Sequence, residues 1–117
     1  MRRSIGILGM ALLALPLAAS TAAADECIKP GAAPPMPQGA TATAEEMTAG
    51  RLALQKYVNV LQTYQDCKEK QIADAPKDTK LEDKQKWRDE GNAAIDTAKA
   101  QADIYAAQMK AFKARQQ

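Results

Sequence analysis

The sequence predicts an all-α protein: an antiparallel two-helix hairpin, coiled-coil-like, with a proline-rich N-terminal strap tied back onto it by a disulfide. Three observations carry this expectation. Apolar residues recur with a seven-residue period in both halves of residues 43–115. Pro76 interrupts that period near its middle. The two cysteines, Cys27 and Cys67, stand one before the periodic part and one within it. Composition agrees: 46% of residues are apolar but only 4% are aromatic, a balance that suits long alanine-rich helices better than a core of large side chains. A length of 117 residues fits one small domain.

Residues 1–24 read as a secretory signal peptide. Arg2 and Arg3 form a basic start, Ile5 to Ala19 an apolar run broken by Gly6, Gly9 and Pro16, and Ala22-Ala23-Ala24 a small-residue cleavage site before Asp25. The uninterrupted apolar stretch is short for a membrane span of about 20 residues, so no stable membrane anchor is expected after cleavage. Asp25 and Glu26 precede Cys27 where a lipoprotein signal needs small apolar residues, so lipidation of Cys27 is not expected. Export, to the periplasm or beyond the cell, places the cysteines in an oxidising compartment.

The strap spans 25–42. Pro30, Pro34, Pro35 and Pro37 hold it extended. Sixteen residues separate Cys27 from Thr43, a reach of up to about 53 Å. Twenty-four residues of helix from Thr43 to Cys67 measure about 36 Å. The strap can therefore run antiparallel to the first helix and close a Cys27–Cys67 bridge. An intermolecular disulfide and a redox thiol pair are the alternatives, the latter lacking a C-x-x-C spacing.

The hairpin occupies 43–117, with helices expected at about 44–74 and 79–115. Thr43-Ala44-Glu45-Glu46 fits a capping box. In the first helix, Met47, Leu54, Leu61 and Lys68 form one seam row and Gly50, Tyr57, Tyr64 and Gln71 the other. The second helix, with Asp78 as the expected N-cap, repeats the pattern as Leu81, Arg88, Ile95, Ala102 and Met109 beside Lys84, Gly91, Ala98, Tyr105 and Phe112. A short connection at Pro76 forces antiparallel packing. It pairs Met47 with Tyr105, Gly50 with Ala102, Leu54 with Ala98, Tyr57 with Ile95, Leu61 with Gly91 and Tyr64 with Arg88. Large then meets small in most layers, while Lys68 meets Lys84 and must splay into water. The more apolar flank, Ala53, Val60 and Cys67 opposite Trp87 and Ala94, is the expected bed for the strap. There Pro30 or a neighbour should meet Trp87. Met36, Pro37 and Ala40 should cover Met109 and Phe112. A homodimeric four-helix bundle is another way to bury so thin a seam.

The chemistry is sparse. The formal charge is +2, and removal of Arg2 and Arg3 leaves 14 basic against 14 acidic residues, so no basic stripe for nucleic acid is expected. Ser4 and Ser20 both lie in the leader, so the remaining chain has neither serine nor histidine. A Ser-His triad and histidine metal ligation are thereby excluded. Adjacent carboxylates such as Glu82-Asp83 and Asp89-Glu90 point apart on a helix. No calcium-loop pattern occurs. No cofactor, metal or catalytic residue is expected. Tyr57, Tyr64, Trp87 and Arg88 form the one candidate ligand or packing cluster, with core and cation–π packing the better reading. Leu52 and Ile72 lie off the seam and could mark a partner surface.

The run Cys27-x-x-Pro30, then Pro35, Pro37, Gly39 and Ala42-Thr43, leading to Met47, Tyr57 and Tyr64-x-x-Cys67, resembles a family of small exported proteobacterial proteins of unknown function. Asn92 and Phe112-Lys113 are similar too. The resemblance implies an exported helical protein and carries no activity. Periplasmic hairpin chaperones bear L-T-x-x-Q repeats, which Leu61-Gln62-Thr63 does not fit. The expectation is a non-enzymatic envelope protein acting as a structural or interaction module with a protein partner. A binder or chaperone for a small ligand or an unfolded chain is the alternative.

Overall fold

The computed structural model describes residues 26–116. The expected signal peptide and its cleavage site lie outside the described residues. Two helices, α1 (Ala44–Ala73) and α2 (Leu81–Ala114), pack antiparallel along their length, and residues 26–42 run beside them as an extended strap. At 30 and 34 residues the helices are about 45 and 51 Å long.

The start of α1 is fixed by its own sequence. The Glu46 amide donates to Thr43 Oγ1 at 3.1 Å and the Thr43 amide to Glu46 Oε2 at 2.8 Å, the reciprocal capping box. The start of α2 is not where Asp78 would put it. The Thr79 amide donates to the Pro76 carbonyl at 3.0 Å, which closes a turn and leaves Lys80 as N-cap, without a side-chain bond to the helix. Asp78 is thus inside the turn and cannot cap.

The seam of α1 follows its heptad: Met47, Leu54, Leu61 and Lys68 are all buried. On α2 one expected row, with Gly91, Ala98 and Phe112 buried and Lys84 and Tyr105 half-buried, also faces inward. The other row does so only in part: Ile95 and Met109 are half-buried, but Leu81 is 83% exposed, and Arg88 and Ala102 are exposed as well. Their place is taken by Trp87, Ala94, Gln101 and Gln108, all buried or half-buried. Both choices keep the seven-residue period; the row that turns inward lies on the side where the strap supplies a third layer.

The layers shift accordingly. Tyr105 does lie beside Met47, its hydroxyl donating to the Met47 carbonyl at 3.1 Å. Leu61 and Tyr64, however, share a buried cluster with Ala94 and Ala98, in place of the expected Gly91 and Arg88. A side chain at Gly91 would meet Lys68 Cβ at 3.4 Å and Gln65 Cγ at 3.5 Å, which is ordinary contact. Gly91 therefore makes no room for Leu61. Gly91→Ala is expected to raise stability by about 0.5–1 kcal/mol through helix propensity alone, seen as a higher urea midpoint. A lower midpoint would show that this approach cannot relax.

The strap is antiparallel to α1. Cys27 is bonded to Cys67, with Cα atoms 5.7 Å apart, so the bridge is intramolecular. Further on, the Gly31 carbonyl accepts from Tyr57 Oη at 3.0 Å. Pro37 then covers Gly50, whose missing Cβ would fall 2.5 Å from the Pro37 ring. That is the role of Gly50, not an approach to Ala102. The Gly39 amide donates to Gln108 Oε1 at 2.8 Å, and Ala42 joins Met47 and Phe112 in a second buried cluster, against which Tyr105 and Met109 pack. Ala42, not the exposed Ala40, is the residue that covers this end. The Ala42 amide bonds back to the Gln38 carbonyl at 2.7 Å, and this turn carries Ala42 into the cluster. The Ala42 carbonyl also accepts from Arg115, whose guanidinium lies 5.3 Å from the Phe112 ring centre.

Candidate functional site

Lys68 is the buried charged residue of the seam. Far from splaying into water, its side chain is 11% exposed and its ammonium lies 2.7 Å from Glu90 Oε2 and 5.4 Å from the Tyr64 ring centre. The α1 period puts Lys68 inward, and Glu90 reaches it from the turn of α2 beside Gly91. Burial pulls the ammonium toward its neutral form. The Glu90 hydrogen bond, the Tyr64 hydroxyl and the Glu90 charge outweigh it, so the Lys68 pKa is held above its ordinary 10.5. The hydrogen bond from Lys68 holds Glu90 below its ordinary 4.5, against partial burial and with help from the charges of Lys68, Lys86 and Lys29.

Glu90 thus binds its proton more weakly when folded. The pair stabilises the fold above about pH 4.5, and that contribution is lost as the pH falls through the lower folded value. Lys68 binds its proton more tightly when folded, so its contribution is complete below pH 10.5 and is lost as the pH rises beyond it. Glu90→Ala strands a buried cation and is expected to destabilise by about 2 kcal/mol at neutral pH, whereas Lys68→Met should change stability by less than about 1 kcal/mol. Urea midpoints of the two variants across pH check this. Equal losses in both would mean that the pair is not buried as described.

The candidate aromatic cluster is only partly assembled. Tyr64 is buried in the seam and Tyr57 packs against the same cluster. Trp87 is half-buried on α2. Arg88 is exposed, with Nη1 3.4 Å from Gln85 Oε1, and lines a groove of mixed character with Gln65, Glu69, Ile72 and Asn92. The cation over the tyrosine is Lys68, not Arg88. Sequence reasoning passed over Lys68 because it set Lys84 opposite it; the acid two residues after Arg88 was the available signal.

A second groove, of about 630 Å³, opens on the other side of Tyr64. Ile28 and Pro30 of the strap form one wall and Val60, Tyr64 and Cys67 of α1 the other, with Lys29 and Lys56 also lining it. Pro30 thus sits over α1, and Trp87 is not among the walls of this groove. Ile28 is 88% and Val60 46% exposed. Among the described residues there is no group of three metal-binding side chains, and no helix is long and apolar enough to cross a membrane.

These features define the class: a disulfide-laced α-helical hairpin with a buried lysine paired to a half-buried glutamate and an apolar strap groove. Beyond the class, comparison with protein families, with curated proteins and with solved structures found no match.

Proposed function

We propose that this chain is an exported, non-enzymatic helical module of the cell envelope that works by holding a protein partner on its outer surface. The observation that carries the reading is where the apolar and polar groups go. The seam's polar groups are spent on the fold itself: Lys68 on Glu90, Tyr105 on the Met47 carbonyl, Gln108 on the Gly39 amide. Leu52 on α1 and Ile104 on α2, by contrast, stand 55% and 44% exposed on the outer surface of the hairpin. The disulfide suits an oxidising compartment, and the resemblance to small exported helical proteins points the same way.

The test is a pull-down from periplasmic extract with the oxidised protein beside its Leu52→Asp and Ile104→Asp variants. A protein retained by the parent and lost with either variant supports the reading. Equal retention by all three, or none by any, sinks it. Cell fractionation tests export separately: the protein should be recovered from the periplasm or medium with Cys27 and Cys67 resistant to alkylation. The alternative, a binder of a small ligand, is favoured by one observation, the apolar groove beside the disulfide.

A further inference from the structure

We propose that the groove between the strap and α1 binds a free single-chain aliphatic carboxylate, and that the Cys27–Cys67 disulfide builds the site. The inference does not depend on the partner surface proposed above. Its walls are apolar: exposed Ile28 and half-buried Pro30 on one side, exposed Val60 and the buried Tyr64 ring on the other. Its volume of about 630 Å³ is in the range of small-molecule sites.

Charge gives the groove a direction. Lys56 and Cys67, eleven residues apart on α1, mark its ends about 16 Å from each other. Lys56 makes no ion pair among the described residues, and Lys29 makes none either, although its charge reaches Glu90. Glu26 stands beside Cys27 at the opposite end. A ligand with one anionic head and an apolar tail fits this order: the head at Lys56, the tail along Val60 and Tyr64 toward the disulfide. Glu26 and Lys29 offset each other toward the disulfide, which leaves Lys56 as the cation with no acid beside it in the groove lining. A flat anionic bilayer offers no single tail of that length to lie in the groove.

The strap wall exists because Cys67 holds Cys27. Without that bond, residues 26–31 keep the Tyr57–Gly31 hydrogen bond and the packing of Cys27 beside Gln71 and the Leu61–Tyr64 cluster, contacts that by themselves leave the first residues of the strap free to lift. The groove should then open as the disulfide is lost.

The experiment uses the oxidised full chain and monomeric laurate, followed by calorimetry and by amide shifts at Val60 and Thr63. Saturable binding with shifts at both residues is expected. Lys56→Glu, an exposed change whose folding is checked by circular dichroism, should weaken laurate roughly five- to tenfold. The Cys27→Ser, Cys67→Ser double variant should lose binding while its helices persist. Three results would overturn the proposal: no saturable laurate binding, equal affinity for dodecyltrimethylammonium, or binding to anionic vesicles without binding to monomeric laurate. Laurate binding that survives loss of the disulfide would overturn the second half of it.

Discussion

Replacing Cys27 and Cys67 together by serine is expected to lower stability by about 4 kcal/mol, the largest single effect in this protein. The bridge closes a separation of 40 residues, and the chain-entropy relation for such a loop gives about that figure. The loss has a particular location. The strap makes few bonds to the helices along its length: Tyr57 Oη to the Gly31 carbonyl, the Gly39 amide to Gln108 and Arg115 to the Ala42 carbonyl. Between these it depends on contact with α1, as at Pro37 over Gly50. Freed at Cys27, its first residues should leave α1 and expose Tyr64 and Val60 further. The helices should remain, because the Leu61–Ala98 cluster and the Lys68–Glu90 pair do not require the strap's covalent tie. Urea unfolding of the double variant should show a midpoint lowered to match, and far-ultraviolet circular dichroism before the transition should be near that of the parent. Hydrogen exchange should accelerate for residues 27–31 and less for 39–42. An unchanged midpoint would mean that the strap adds nothing to the fold.

Gly39→Ala is expected to destabilise by about 3 kcal/mol. Gly39 is buried where the strap crosses α2. A methyl group there would overlap the Gln108 carbonyl oxygen, 2.7 Å from that carbonyl's carbon and 3.0 Å from the Phe112 nitrogen. These are helix backbone atoms and cannot turn aside as a side chain can. The strap must lift instead, which breaks the Gly39–Gln108 hydrogen bond and loosens Ala42 from Met47 and Phe112. Gly31→Ala is the matched control, since nothing lies within 4 Å of its added carbon. Thermal unfolding of the pair should separate them by many degrees. If both melt together, the crossing at Gly39 is not tight. Gly91→Ala should move the other way, so three glycines of one chain give three signs of response, each set by what faces the missing carbon.

Much of this was legible in the residues themselves. The capping box at Thr43 and Glu46, the four buried α1 positions from Met47 to Lys68 and the halt near Pro76 all follow from the sequence, which also put Cys27 within reach of Cys67 but left a bridge between chains as the alternative to the one the structure shows. They rest on local rules: helical period, proline geometry and chain length. The expected strap flank, with Ala53 and Cys67 on α1, was legible for the same reason, because it is the more apolar side. Of the candidate cluster, Tyr64 and Tyr57 could be placed, whereas Arg88 and Trp87 could not.

The rotation of α2, and everything that hangs on it, was set by packing in three dimensions. A seven-residue period allows either Leu81, Arg88 and Ala102 or Trp87, Ala94 and Gln101 to join Gly91 and Ala98 in the seam. The strap favours the second set by meeting that side of α2 at two points, Cys27 against the Ala94 cluster and Gly39 at Gln108. That rotation sends Arg88 into solvent and brings Glu90 to Lys68, while Gly50 serves as a seat for the strap's Pro37 instead of as a spacer between helices. A third layer acts on both helices at once, and no periodicity within either helix records where that layer will lie.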